Sequence, residues 1–177
     1  MTFSKVFEYI LMFALILLTL FNLYALTAGK KKKKNSVALY KQTLTTLENK
    51  AFEEMKKNKI SFDEKHGYIN DLNEGILLTF DNAKRMMGIT LKDAFYLIPF
   101  SEVLSCTSKH DTLENGKFTH FTVEVETQDS IITLLFGSRP WREKSTFAQF
   151  ILADTQEFCS LVTGHCITSK DKELQQE

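Results

Sequence analysis

GILLTFDNAKRMMGITLKDAFYLIPFSEVLSCT, residues 75–107, is a series of short apolar runs broken by turn formers. Gly75 to Phe80 (GILLTF) predicts a strand and Arg85 to Thr90 (RMMGIT) its hairpin partner, with Asp81-Asn82-Ala83-Lys84 as the turn between them. Asp and Asn suit that turn because their side chains bond the backbone two residues on. Ala94 to Phe100 (AFYLIPF) predicts a third strand and Ser101 to Ser108 a fourth. Pro99 falls near their junction, and a residue without an N–H belongs at a bend or an edge.

Downstream the same pattern continues. Asn115-Gly116 predicts a hairpin turn of type I′, which needs positive φ at both central positions. After it Phe121, Val123 and Val125 alternate with His120, Thr122, Glu124 and Glu126, a period of two that buries one face. Gln128-Asp129-Ser130 is the next turn and Ile131 to Phe136 (IITLLF) the next strand. Pro140 fits the first turn of a closing helix. Phe147, Phe150, Ile151, Asp154, Phe158, Leu161 and Val162 then follow helical spacing, and Gly164 stands where a C-terminal cap belongs. The tail from Ser169 to Glu177 is polar.

Upstream, Ile60, Phe62, Tyr68 and Ile69 sit in short runs, and before them Val37, Tyr40, Leu44, Leu47, Ala51 and Met55 recur at helical steps. That stripe predicts a stem helix with Asn35-Ser36 as its N-cap, packed on the domain or paired with a second copy; we favour packing, because the stripe is shorter than three heptads. From Tyr9 to Gly29 there is no charged side chain, and Lys30, Lys31, Lys32, Lys33 and Lys34 follow without a break. About 20 uncharged residues suffice for a helix to cross a bilayer. The lysines hold their flank on the cytoplasmic side and lie where anionic lipid would meet them. A cleaved signal peptide is the rival reading, but the run exceeds a signal's apolar core of roughly 7–15 residues and no clean small-x-small site follows.

The expected fold is α+β: a transmembrane helix and a stem helix, then a curled antiparallel sheet or open barrel capped by a C-terminal helix. The expected divisions are residues 1–29 (anchor), 30–58 (polybasic junction and stem), 59–165 (β domain with its helix) and 166–177 (polar tail). On residues 75–107, with a hairpin leading into the segment IPFSEVL, the chain resembles small bacterial membrane-anchored proteins that carry one pleckstrin-homology-like domain. The resemblance implies a membrane-tethered binding or scaffolding module. It departs from the phosphoinositide-binding subset, whose first hairpin loop is basic: Asp63-Glu64-Lys65-His66-Gly67 and Asn73-Glu74 are mostly acidic here. It departs again at Trp141, which lies at the start of the expected closing helix rather than within its body.

Charge and chemistry narrow the function. Beyond Asn35 there are 16 basic and 21 acidic residues, so that part carries about −5, which argues against nucleic-acid binding. None of the seven glycines forms a phosphate loop, and neither H-E-x-x-H nor G-x-S-x-G occurs. We therefore expect no enzyme, no cofactor and no metal. Cys106, Cys159 and Cys166, an odd number without a CxxC, make a poor disulfide framework and with His165 match no familiar zinc spacing; in a reducing cytoplasm they should stay as thiols. His66, His110, His120 and His165 are spread along the chain, and His120 reads as a surface residue. Asp154 is out of place on its apolar helix face. Arg139, Trp141 and Arg142 are the one compact basic-aromatic cluster, with two readings: a contact site for a protein segment or an anionic lipid surface, or a connection with Trp141 filling the barrel's mouth. The alternative functions are an accessory subunit acting through transmembrane contacts and, behind it, an enzyme with an unrecognised site. Composition leaves the oligomeric state open.

Overall fold

The computed structural model describes residues 3–167, except for the side chains of 3, 4, 6 and 25–37. It separates into two compact units, residues 1–41 and 42–177. Helix α1 (Phe3–Asn58) supplies all of the described part of the first unit and the opening of the second. The expected cap at Asn35-Ser36 is therefore absent, and the helix runs through it without a break. The sequence around it is rich in Lys, Ala and Leu, so two residues of middling propensity cost the helix only a few tenths of a kcal/mol each. The lysines Lys30 to Lys34 are helical, and their side chains lie outside the described residues.

In the first unit every side chain from Phe7 to Tyr24 is exposed, and this stretch is long and apolar enough to cross a membrane. Its hydroxyl at Thr19 donates to Ile16 O (2.8 Å) and Leu15 O (3.1 Å), so that polar group is satisfied within the helix itself.

The second unit holds two antiparallel sheets. The first has the order β1 (Glu64–Ile69), β2 (Gly75–Asp81), β3 (Met86–Leu91), β4 (Phe95–Pro99). The second pairs β5 (Val103–Thr112), β6 (Lys117–Thr127) and β7 (Ile131–Gly137), with a two-residue β8 (Trp141–Arg142) also on β6. Helix α2 (Thr146–Val162) closes the chain and runs into a π-helical turn, Thr163–Ile167. One core takes Ile76, Leu78 and Phe80 from β2, Phe121, Val123 and Val125 from β6, and Ile151, Phe158 and Val162 from α2.

Strand β2 is buried at all seven positions, a pattern for a strand covered on both faces. Its odd neighbour Leu77 packs with Leu47 and Ala51 of α1, beside Leu44 and Phe62. The stem stripe thus packs on the domain at Leu44, Leu47 and Ala51. Lys50 on the same helix donates to three carbonyls of the β3–β4 turn, Leu91 O (2.9 Å), Lys92 O (2.9 Å) and Ala94 O (3.2 Å), which uses all three N–H bonds of its ammonium.

Five local expectations change. At Asn115-Gly116 only Gly116 has positive φ (69°), and its N–H meets Leu113 O at 2.9 Å; the loop is a four-residue turn closed by a left-handed glycine, not type I′. Pro140 precedes β8 rather than opening α2, whose N-cap is Ser145, accepting from Ala148 N at 3.2 Å. Trp141 is accordingly a strand residue, four positions before that cap. Gly164 does not end a helix in the left-handed region, because the chain continues through the π turn to bury Cys166, which is 0% exposed. Cys166 therefore belongs to the core and not to the polar tail; residues 168–177 of that tail lie outside those described.

Candidate functional site

The Arg139–Trp141–Arg142 segment is set by the way the second sheet ends. Strand β7 finishes at Gly137, where an added Cβ would meet Ile151 Cδ1 and Phe121 Cδ2 at 3.0 Å, so the chain passes close under α2. It is then caught by Asp71. That carboxylate accepts from Ser138 N (3.0 Å to each oxygen), from the Ser138 hydroxyl (3.2 Å) and from Arg139 N (2.8 Å). Charge-assisted bonds of this kind are about twice as strong as neutral ones. Two residues on, β8 pairs Trp141 with Phe118 and Arg142 with Lys117.

Trp141 is half-buried. One side packs with the core, and its ring lies 4.4 Å from that of Phe147, centroid to centroid. Its Nε1 is buried and has no hydrogen-bond partner among the described residues, a state that costs roughly 1–3 kcal/mol. Arg139 and Arg142 are exposed. The two residues that enlarge this surface are Phe147 (42% exposed) and Phe150 (61% exposed), one turn apart on α2. Both stood on the expected apolar face, and the buried stripe is instead Ala148, Ile151, Thr155, Phe158 and Val162. The helix is rotated so that two phenylalanines face outward, Phe147 against Trp141 and Phe150 one turn beyond. Trp141 and Phe147 thus meet at the junction of β8 and α2, with Phe150 one turn further along the helix and the exposed Arg139 and Arg142 on either side of Trp141 in sequence.

Several groups far apart in sequence also meet. Glu64 on β1 takes His66 Nε2 at 2.6 Å and His165 Nε2 at 3.2 Å, while His165 Nδ1 reaches Asn82 Oδ1 at 3.0 Å and its ring stacks on Phe80 at 4.1 Å. This ties the π turn to the first sheet. His120 pairs with Asp111 at 3.2 Å and is otherwise a surface residue. Glu124 pairs with Lys109, and Glu126 accepts from Ser105 at 2.8 Å, so these carboxylates form a solvated ladder. Among the described residues no group of three or more His, Cys, Asp or Glu could hold a metal ion. Cys106 and Cys159 are in contact, a juxtaposition that their spacing of 53 residues did not reveal.

Asp154 sits half-buried on α2. Burial, and then the charge of Glu157, push its carboxyl up to about 6. The same two carboxylates, after burial, raise the Tyr68 phenol, whose oxygen is buried without a partner among the described residues. An unfolded Asp ionises at about 3.9. Between about pH 4 and pH 6 the folded state therefore binds more protons than the unfolded chain, and stability falls as pH rises through that window. Asp154→Asn should match the wild type at pH 4 and exceed it at pH 7, by about 1–2 kcal/mol once partial exposure is discounted. Denaturant melts at the two pH values check this, and a variant less stable than wild type at pH 7 contradicts it.

Comparison with family models, curated proteins and solved structures found no match to the chain.

Proposed function

We propose that this chain is a single-pass protein of the cell membrane, with its N-terminus outside and residues 42–177 acting in the cytoplasm as a binding module. The anchor is the exposed apolar stretch of α1, and the lysines after it set the orientation. The module's architecture is, in this reading, pleckstrin-homology-like. Two four-stranded antiparallel sheets, the second counting the short β8, share one core, curl into an open barrel and carry the C-terminal helix over its open end. The acidic stretch around Asp63, Glu64 and Glu74 speaks against inositol phosphates as ligand.

The observation that carries the binding role is the surface of Trp141, Phe147 and Phe150 beside Arg139 and Arg142, in a unit otherwise acidic. Aromatic anchors with Arg at the rim are the composition of protein-contact hot spots. A surface of that kind fits an apolar protein segment with flanking carboxylates. Anionic lipid is the competing occupant, and Lys30 to Lys34 already serve that contact next to the bilayer.

A photocrosslinking residue at position 147 of the full-length protein, irradiated in cells, should give one discrete protein adduct. Arg139→Ala and Arg142→Ala should each lower its yield about fivefold, on the order of 1 kcal/mol apiece, with melting unchanged. Adducts to lipid alone would assign the surface to the membrane. Protein adducts arising only from positions within residues 7–24 would support an accessory subunit that works through its transmembrane helix.

A further inference from the structure

Cys106 lies on β5 and Cys159 on α2, and their sulfurs stand 3.2 Å apart. Both residues are half-buried and border a cleft of about 480 Å³, lined also by Ser108, Gln156, Ser160 and Thr163, that opens the pair to small solutes. Each sulfur is carried by a regular element: β5 is paired with β6 from Val103 to Thr112, and α2 is fixed at the neighbouring Phe158, which is fully buried. The contact is thus built by the fold.

We propose that Cys106 and Cys159 are a redox-active dithiol, which a low-molecular-weight disulfide converts to an intramolecular bond bolting α2 to the second sheet. The two thiols are not equivalent. The Cys106 S–H donates to the Cys159 sulfur, which holds the Cys159 thiol below its ordinary range despite burial. That same bond, then burial, pushes the Cys106 thiol far up. Both sulfurs border the cleft, so either can attack and the other resolve; with Cys159 attacking, the reaction runs in two steps. In the first step the Cys159 thiolate displaces one half of the reagent R–S–S–R: a Cys159–S–S–R bond forms, the R–S–S–R bond breaks, and RS⁻ leaves and takes up the proton that Cys159 released. In the second step Cys106 gives its proton to solvent and attacks the Cys159 sulfur. The Cys106–Cys159 bond forms, the bond to R breaks, and the second RS⁻ is protonated. Two thiols have lost two electrons and two protons, and the reagent has become two RSH. Cys166, fully buried, is out of reach of the reagent.

Full-length protein in detergent, treated with oxidised glutathione and quenched with acid, tests this. Of its three thiols, those of Cys106 and Cys159 should disappear, with a mass loss of roughly 2 Da and a peptide linking the two. The midpoint of melting should rise by roughly 5–10 °C and return with dithiothreitol. Cys166→Ser should form the same link. Cys106→Ser and Cys159→Ser should each form no internal link and instead accumulate a glutathione adduct on the remaining cysteine of the pair. A link through Cys166, an internal link surviving in either single variant, or no loss of thiols in the wild type would overturn the proposal.

Discussion

Phe158→Ala should lower the stability of residues 42–177 by about 3–5 kcal/mol, the range for truncating a fully buried aromatic. Phe158 is 0% exposed and its ring meets those of Tyr68 and Phe136 at 5.7 and 5.8 Å. The substitution removes apolar area from the core, leaves a cavity between α2 and both sheets, and breaks two aromatic pairs worth about 0.5–1.5 kcal/mol each beyond burial. A domain of this size has only about 5–15 kcal/mol in total, so the melting midpoint should drop by on the order of 10 °C or more. The control is Phe150→Ala. Phe150 belongs to the same helix and is 61% exposed, so its truncation should stay within about 0.5 kcal/mol. Thermal melts of the two variants therefore report the rotation of α2 about its axis. Equal losses would mean that the helix presents a different face to the core.

That contrast marks where sequence reading stops. Helical spacing placed Phe147, Phe150 and Phe158 on one stripe, while Ala148, Leu152 and Cys159 extend the apolar positions of α2 further round the helix. Only packing chooses among them, and the sheets accept Ala148 and Thr155 in place of the two phenylalanines. Period-two alternation was unambiguous by comparison: Phe121, Val123 and Val125 are all 0% exposed. GILLTF was legible as a strand, and its unbroken apolar run made sense only when the stem helix covered Leu77. β8 was invisible because two residues carry no period. The Cys106–Cys159 contact, the Glu64 bridge between His66 and His165, and the bonds from Asp71 to Ser138 all join positions 53 or more apart. No local signal encodes such partners, since they are products of strand order and helix docking. Arg139, Trp141 and Arg142 were visible as a cluster, whereas Phe147 and Phe150, which complete the surface, were assigned to the core.

Asp71→Ala is the variant that should most affect this surface without touching it. Asp71 stands at the turn after β1, 67 residues from Ser138, and its carboxylate receives both backbone N–H groups of Ser138 and Arg139 as well as the Ser138 hydroxyl. Thr119 also holds this link between β7 and β8, donating its hydroxyl to Ser138 O at 2.9 Å, but of the two only Asp71 reaches Arg139. Removing the carboxylate leaves those donors unpaired where they are shielded and hydrated where they are not. Bonds to a charged group contribute about 1.5–3 kcal/mol each to stability when lost singly, and water will recover part of that at exposed Arg139. The net loss should be about 2–3 kcal/mol. Asp71→Asn keeps an acceptor oxygen but not the charge, and should fall about halfway. Crosslinking from position 147 should weaken in the same order, because the backbone that carries Arg139 into β8 would no longer be held. The two readouts separate a positioning role from simple destabilisation: in Phe158→Ala, assayed well below its melting midpoint, crosslinking should be retained. If Asp71→Ala lost stability yet kept its adduct yield, the Asp71 bonds would serve the fold alone and Arg139 would need no fixed position to contact a partner.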